Sequence, residues 1–270
     1  MSVHGKLVAV APAIPNSDGI LSAASRSVDE AETRFSQGDF DSARLQSRAA
    51  LRLTRAVQRM HWDKAVAQSK LTSGVSSPHT ICFQTLPDHW ALIREIGKRS
   101  AKDDNLLRSG GFEDAETFRA HGWDHHQGAD PNVRSRAELF GLSKFEGRFS
   151  LRLQADPVDP SQPPDQVLDP PERIVSPPIP VYAGQIVHIS GMVQVVTPLM
   201  GNADGLVIYE STKGTVGALR WREPTPPKTW QPFQLIREIH QSQDLTITIE
   251  LRSLGDVRID DLKVVAIDAE

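Results

Sequence analysis

Hydrophobic positions along the chain follow two different periods, and the change falls near residue 105. Before it, apolar residues recur every three or four positions, as in Val28, Ala31 and Phe35, which is the spacing of one helix face. After it, apolar and polar residues alternate, as in GRFSLRLQA at 147–155, which is the pattern of a half-buried strand. The sequence therefore predicts a segregated α+β protein, with α-helices first and an antiparallel β-sandwich after them.

The first part predicts an α-helical hairpin. Ser27 is a candidate N-cap with Glu30 as its capping-box partner, so we expect the first helix to begin there. Gly38 can adopt the positive φ that ends this helix, and Asp39 can cap a second helix that runs to about Ala67. The segment AETRFSQGDFDSARLQSRAAL resembles one helix pair of a tetratricopeptide repeat, but no second copy follows at that period.

An isolated hairpin has to bury its apolar stripe against something else. We expect it to pack on the sandwich or on residues 77–99, with Trp62 and Trp90 as anchors. Arginines occupy another face of the second helix, but acids are interspersed and no aromatic residues interleave with them. That pattern favours a solvated face, and no nucleic-acid partner is predicted.

Seven or eight short strands are expected after residue 105. They are rich in β-branched residues and bounded by Gly, Pro, Asp or Asn, as in GLVIYE at 205–210 and DLTITIELR at 244–252. A proline-rich stretch at 156–180 predicts a long, stiff loop whose end, RIVSPPIPV, re-enters the sheet at an edge. This succession of strands is typical of an antiparallel sandwich or barrel.

Composition narrows the class of protein. Of the 270 residues, 39% are hydrophobic and 24% charged, and the net charge of −4 gives no basic surplus for nucleic acid or anionic membrane. The one cysteine, Cys82, excludes an intrachain disulfide. No apolar run approaches the ~20 residues of a membrane span. Residues 1–26 are interpreted as a disordered lead-in or the remnant of a preceding domain, because they make a poor signal peptide.

The motifs of residues 105–268 follow a recognisable order. NLLRSGGFED opens the segment, and GW, GRFSLRL, AGQIVHISGMVQV, TWQPFQL and finally GDVRIDDLKV follow. In that order they resemble the jelly-roll carbohydrate-binding modules of families four, nine and twenty-two, within the galactose-binding-like superfamily. Such modules open with Asn-Leu-x-x-Asn-Gly-x-Phe-Glu and close with Gly-x-x-x-x-Asp-Asp-Val. Here Ser109 stands for the second Asn and Leu262 for the Val. The resemblance implies a polysaccharide or glycan partner.

The same resemblance implies a structural calcium ion between the first and last strands. Paired glycines let the backbone turn its carbonyls toward one point, and carboxylates from both strands complete an oxygen shell of the kind Ca²⁺ prefers. The predicted ligands are Glu113, Asp260, Asp261 and the backbone of Gly111. The alternative is that these acids cap turns and pair with Arg258 or Lys263.

Aromatic side chains are the candidates for sugar binding, because modules of this type stack aromatic rings on sugar rings. Trp221 and Tyr209 are the predicted ligand-binding residues, whereas Trp123 and Trp230 stand where the family places packing tryptophans. In GLVIYES, Leu206, Ile208 and Glu210 share one face of the strand and Tyr209 lies on the other. The alternation leaves open which face points outward.

The leading interpretation is a non-catalytic carbohydrate-binding-like module. It comprises a helical hairpin and capping segment at 27–99 and the sandwich at 105–268, and forms the C-terminal part of a larger exported or cell-surface bacterial protein. No catalytic motif stands out, and Glu210 and Glu250 are expected on a solvated face. Two alternatives remain: a protein-interaction or structural module without a glycan site, and a fragment of a glycoside hydrolase.

Overall fold

The computed structural model describes residues 14–68, 105–202, 204–222 and 228–268. The chain divides into two compact units, residues 1–73 and 74–270. Within the described residues, the first unit is helical and the second contains every strand. The predicted α+β class with segregated elements is thereby confirmed. None of the described helices is long and apolar enough to cross a membrane.

The first unit is a helical hairpin of α1 (Ser17–Ser36) and α2 (Phe40–Gln68). Gly38 has a φ of 79°, and Asp39 accepts a hydrogen bond from the Ser42 amide at 3.2 Å, as the sequence predicts for the end of one helix and the start of the next. The N-cap prediction at Ser27 is wrong, since α1 begins ten residues earlier. Ala24 continues the buried face of α1, and this packing outweighs the local capping signal.

The docking prediction for the hairpin lies outside the described residues. Residues 77–99, including Trp90, and the side chain of Trp62 are among those that the structure does not describe. The same holds for Cys82. These remain predictions.

The second unit opens with a short helix, α3 (Ala115–Ala120), whose first turn is capped by the Asp114 carboxylate. One 3₁₀ turn at Gly214–Gly217 interrupts the strands. The strands are β1 (Asp124–Gln127), β2 (Val133–Phe140), β3 (Ser150–Pro157), β4 (Glu172–Val175), β5 (Ile179–Val181), β6 (Ile186–Val195), β7 (Leu206–Glu210), β8 (Leu219–Trp221), β9 (Gln231–Glu238), β10 (Gln243–Leu245), β11 (Ile247–Leu251) and β12 (Gly255–Ile267).

Two five-stranded antiparallel sheets form the sandwich, in the strand orders β1-β4-β11-β7-β8 and β2-β3-β12-β6-β9. A two-stranded ladder of β5 and β10 lies beside them. Alternate residues of both sheets build the core, so that Leu153, Ile208, Leu235 and Ile249 are fully buried. No helix of three turns interrupts the described part of 204–268, as the alternating pattern predicts.

The opening segment lies beside the last strand, as predicted. The Leu106 amide donates to the Val264 carbonyl at 2.8 Å, and the Leu262 amide donates to the Gly110 carbonyl at 3.0 Å. A side chain at Gly110 would place its Cβ 2.1 Å from the Leu262 carbonyl oxygen. Gly110 is therefore needed because two backbones meet there. The side chain of Asn105 completes the contact by accepting from the Val264 amide at 2.9 Å.

The predicted edge position of RIVSPPIPV is wrong for its first part, RIV, whereas IPV forms a strand with a single partner. Strand β4 pairs with β1 on one side and with β11 on the other, so it lies inside its sheet. Strand β4 can pair on both sides because Pro177 and Pro178 lie after its last residue and therefore remove none of its amide donors. Pro180 lies in β5, whose partner is the short strand β10.

One buried ion pair connects the two sheets. Glu210 ends β7 in the first sheet and Arg237 lies in β9 of the second, and both side chains are almost completely buried. Arg237 Nε donates to Glu210 Oε1 at 2.6 Å, and its Nη2 donates to the Gly217 carbonyl at 2.7 Å. The second Glu210 oxygen accepts from the amide of Thr212 at 2.5 Å. The expectation that Glu210 lies on a solvated face is wrong, because the register of β7 turns it to the core.

Candidate functional site

The first sheet presents one polar face that we call the tyrosine face. The register aligns Arg173, Glu250, Val207 and Arg220 in one row across β4, β11, β7 and β8. The next row along the same face holds Val175, Thr248 and Tyr209. The residues between them in each strand, such as Ile249 and Ile208, face the core. Asp204, Arg222 and Arg252 extend the face at the strand ends through ion pairs.

Tyr209 is fixed on this face by Glu250. Its hydroxyl donates to Glu250 Oε1 at 3.0 Å, and the ring is half-buried. Burial raises the pKa of Tyr209 above its usual value, and the nearby Glu250 carboxylate raises it further. The phenol is therefore the protonated, donating form at neutral pH. The ring has a defined position before any ligand arrives.

Two guanidinium groups hold the Glu250 carboxylate. Arg173 Nε donates to Oε1 at 2.7 Å, and Arg252 Nη2 lies 2.6 Å from Oε2. The Glu250 side chain is completely covered by these partners, whereas the Arg173 side chain remains 43% exposed. Glu250 lies on the sheet face that points away from the core, as expected. Its side chain is nevertheless buried, so the expectation that it is solvated is wrong.

Asp204 joins three more guanidinium contacts at the end of the face. Its oxygens lie 2.9 Å from Arg252, 2.9 Å from Arg222 and 3.2 Å from Arg220. Burial alone would raise the pKa of Asp204, but the three cations outweigh it and hold that pKa below its usual value. Arg252 contacts both carboxylates, so Tyr209, Glu250, Arg252 and Asp204 form one connected polar network.

This arrangement suits a neutral, hydroxyl-rich ligand. A sugar offers an apolar ring face that an aromatic side chain can cover and hydroxyls that can both donate and accept. Arg173 and Arg220 can donate from the same face on which Tyr209 lies, and Thr248 stands directly opposite Tyr209 in the ladder. Since the carboxylates already fix these groups, a ligand would meet them without much further ordering of side chains.

The prediction that Trp221 binds ligand is corrected by its burial. Its side chain is 1% exposed and packs edge-to-face against Phe233, with ring centroids 5.7 Å apart. Trp221 pairs with Leu206 in the ladder, on the core side of β8. The sequence signal that favoured it was its position at a strand end before a proline loop, but the register turns the ring inward.

The two tryptophans assigned to packing differ. Trp123 is buried among Phe112 and Phe118, and its indole nitrogen donates to the Arg108 carbonyl at 3.0 Å, so its assignment to the core is confirmed. Trp230 is half-buried, so its assignment to the core is wrong. It meets the 48%-exposed Phe145 edge-to-face, with an angle of 64° between the rings. Two rings at this angle do not form a flat platform for a sugar.

The outer face of the second sheet is the other polar surface of the sandwich. Arg152 of β3 and Arg258 of β12 each place their guanidinium 4.7 Å from the ring centroid of Phe140 in β2, and Asp256 binds Arg152 at 2.7 Å. The Arg152 and Arg258 side chains are only 12% and 13% exposed. The side chains of Arg136 and Glu138 on the same face are more accessible, at 55% and 37% exposed.

The predicted calcium ligands are brought together in part. Glu113 and Asp260 both hold the loop at 141–149: Glu113 accepts from the Arg148 amide at 2.6 Å, and Asp260 accepts from the Phe145 amide at 2.7 Å. Burial raises the pKa of Asp260 despite its amide donors, and the charge of Glu113 adds to the increase. Asp261, at a φ of 51° in a β12 bulge, pairs with Lys263 at 2.7 Å.

The carboxylates therefore cap backbone amides and one binds Lys263, as the alternative interpretation expected. Gly111 directly precedes Phe112 in the turn, and a Cβ on it would meet Glu113 Cγ at 3.7 Å. Among the described residues, no group of three or more acids, histidines or cysteines is placed to hold a metal ion. The two carboxylates that hold the loop at 141–149, those of Glu113 and Asp260, are suitable ligands for a hard cation.

Three features of the site escape sequence reasoning. Arg173 lies 77 residues from Glu250 and Asp204 lies 48 residues from Arg252, so no local spacing reveals these pairs. A third contact joins His125 of β1 to the buried carboxylate of Glu172 in β4, 47 positions away, while His125 remains 42% exposed. A usable signal was the alternation in β7 and β11, which places Tyr209 and Glu250 on defined faces once the strand pairing is known.

No family model matches the chain, and no curated protein matches it. Solved structures similar to it include the CBM22-1 xylan-binding domain of Xyn10C from Paenibacillus barcinonensis, at 16% identity and a TM-score of 0.38, covering 64% of this chain and 99% of that one. Another is TmCBM61 in complex with β-1,4-galactotriose, at 13% identity and a TM-score of 0.37, covering 60% of this chain and 98% of that one.

A third similar structure is the enzymatically active domain of tailspike protein 4 of bacteriophage CBA120. It is 12% identical with a TM-score of 0.37, over 60% of this chain and 21% of that one. The first two are carbohydrate-binding modules, the type that the sequence motifs resemble. The TM-scores of all three structures are below 0.5. The fold of this chain is therefore described from its own strand order and register.

Proposed function

We propose that the chain is a non-catalytic carbohydrate-binding module and that the tyrosine face binds a polysaccharide or another glycan. The observation that carries this proposal is the position of Tyr209, a half-buried aromatic side chain that Glu250 orients on the outer face of the sheet, where Arg173 is 43% exposed. A location outside the cell or at its surface, within a larger bacterial polypeptide, belongs to the same proposal.

The charges of the face support binding over catalysis. A glycosidase acid needs a carboxyl group whose pKa is raised, with a second carboxylate across the bond to be cleaved. On the tyrosine face the pKa of Asp204 is lowered by three arginines, and both oxygens of Glu250 are held by arginines. Asp204, with its lowered pKa, is therefore not suited to donate a proton at neutral pH.

Tyr209→Ala tests the proposal directly. We expect the dissociation constant for the best glycan to rise about tenfold or more, equivalent to at least about 1.4 kcal/mol of binding free energy. The free energy of unfolding should fall by only about 1 kcal/mol, because the change removes one hydrogen bond to Glu250 and a ring that is only half-buried. Titration calorimetry and urea denaturation of the full chain measure both quantities.

Tyr182→Ala is the matched control, because Tyr182 is the chain's other tyrosine and is 59% exposed after β5. It should bind glycan as the unmodified chain does. Tyr209→Phe keeps the ring and removes the hydroxyl, so it separates stacking from the contact with Glu250. If Tyr209→Ala and Tyr182→Ala bind equally well, the glycan does not use the tyrosine face and the proposal for this site is wrong.

A second candidate function, contact with another protein, is favoured by a different observation. Leu142 is 90% exposed and Phe145 48% exposed in the loop at 141–149, and Trp230 lies against Phe145. These apolar side chains form a small patch of the kind that protein interfaces cover. A Phe145→Ser change should leave glycan binding unchanged, and it should abolish partner binding if this candidate is correct.

We also propose a structural Ca²⁺ held by Glu113 and Asp260. Two carboxylates from distant parts of the chain converge on the loop at 141–149, where burial raises the pKa of Asp260 and the charge of Glu113 adds to the increase. When bound, the ion would supply the positive charge that this position lacks. It would tie the opening segment and the loop at 141–149 to β12.

Calcium should raise the melting temperature of the chain. At a hundredfold excess over its dissociation constant, bound Ca²⁺ adds about 2.7 kcal/mol to the free energy of unfolding. Scanning calorimetry with CaCl₂, with MgCl₂ and with a chelator measures the effect, and Asp260→Asn should remove it. Identical melting in CaCl₂ and in chelator contradicts the site.

A further inference from the structure

The helical hairpin carries an open apolar groove between α1 and α2. Large hydrophobic side chains line it, with Phe35 66%, Phe40 63% and Leu51 52% exposed, and Val28 contributes from α1. Phe35 and Phe40 touch edge-to-face across the turn, with centroids 5.4 Å apart. Rings left in water forgo the hydrophobic stabilisation that burial would give them.

The seam between the two helices is built from small residues. Among the hairpin side chains that the structure describes, the buried ones are Ala24, Ala31, Ala43, Ala50 and Val57. Small residues let the helices approach closely, but they leave the large apolar side chains outside the seam, on the groove. A hairpin that buries its alanines and exposes its phenylalanines is arranged to receive a second layer of helices.

The two helices carry opposite charge. Helix α1 contains four acids and two arginines, a net charge of −2, counted over Ser17–Ser36. The described first part of α2, residues 40–57, contains one acid and four arginines, a net charge of +3. Glu32 of α1 and Arg44 of α2 both line the groove. The surface is therefore complementary to itself when it is rotated so that α1 faces α2.

We propose that the groove is covered by the same groove of a second copy, giving a two-fold symmetric four-helix bundle. A two-fold axis along the groove places α1 of one copy against α2 of the other. Glu32 and Arg44 stand at similar distances from the turn at Gly38, so each Glu32 meets the Arg44 of the other copy. The four phenylalanines gather at the turn end of the bundle.

Such a dimer carries two sandwiches and therefore two tyrosine faces. A polymer with repeating sites can engage both, which increases overall affinity without any new contact at either face. The inference concerns the hairpin alone, and its failure would leave the proposed glycan contact of a single sandwich unaffected. A short oligosaccharide reports only the contact with a single tyrosine face. Its dissociation constant therefore tests the proposed glycan site independently of the dimer.

Charge exchange tests the dimer with the full chain. Light scattering after gel filtration, from about 1 to 100 μM chain, should show twice the mass of one chain for the unmodified protein. Glu32→Arg alone and Arg44→Glu alone should each shift to the mass of one chain, because each places like charges against each other. Mixing these two variants should restore the doubled mass, as should the double variant Glu32→Arg/Arg44→Glu.

Circular dichroism should show unchanged helix content in every variant, since both side chains are on the helix surface. Phe35→Ser is a further variant that should shift the chain to a single mass without involving charge. A single-chain mass for the unmodified protein throughout the concentration range overturns the proposal. A doubled mass that survives both single charge changes overturns it too, because the copies would then meet elsewhere.

Discussion

Arg237→Leu is expected to destabilise the protein by about 3–5 kcal/mol, the usual cost of removing one partner from a buried ion pair. The change leaves the Glu210 carboxylate inside the sandwich without its cation, and it also removes the donor to the Gly217 carbonyl. Both side chains are at most 4% exposed, so water cannot replace the lost contacts. The free energy of unfolding in urea measures the loss.

The double variant Glu210→Gln/Arg237→Leu is the matched control. A neutral glutamine can still accept from the Thr212 amide, while the uncompensated charge is gone. The double variant should therefore be more stable than Arg237→Leu alone. If both lose the same amount, the ion pair does not determine the stability of this junction between the sheets.

Trp221→Ala is expected to cost about 3–5 kcal/mol as well, because a large ring is removed from the core. The ring is 1% exposed and contacts Phe233 of the opposite sheet. The folded fraction should bind glycan with an unchanged dissociation constant. Urea denaturation combined with titration below the unfolding transition separates the two effects.

Two substitutions control for the size of the ring and its position. Trp230→Ala removes a half-buried tryptophan and should cost less than Trp221→Ala. Trp221→Phe keeps most of the volume and removes an indole nitrogen that has no hydrogen-bond partner among the described residues, so it should also be milder. A Trp221→Ala protein that is fully stable but no longer binds glycan would place this ring at the binding site after all.

The two periods of the sequence predict the fold because each reports a local geometry. Helical spacing before residue 105 and alternation after it set the fold class, and Gly38 with Asp39 marks the hairpin turn. The start of α1 is missed for a physical reason. The capping residues near Ser27 are a local signal, whereas the helix extends upstream, where Ala24 continues its buried face.

The candidate site depends on information that local patterns do not contain. Alternation places Tyr209 and Glu210 on opposite faces of β7, but only pairing with β11 decides which face is the core. The same dependence explains Trp221, whose position at a strand end suggested exposure while its register in β8 turns it inward. Arg173 meets Glu250 because β4 pairs with β11, a contact between residues 77 positions apart.

Binding of the unmodified full chain to glycans tests the central claim most directly. The measurement is an array of soluble oligosaccharides together with pull-down on insoluble polysaccharides, each repeated with Tyr209→Ala. We expect retention on at least one polysaccharide, competition by the corresponding soluble oligosaccharide, and weaker retention of Tyr209→Ala. No binding to any glycan at millimolar concentration would contradict it, and contact with a protein partner would then become the leading function.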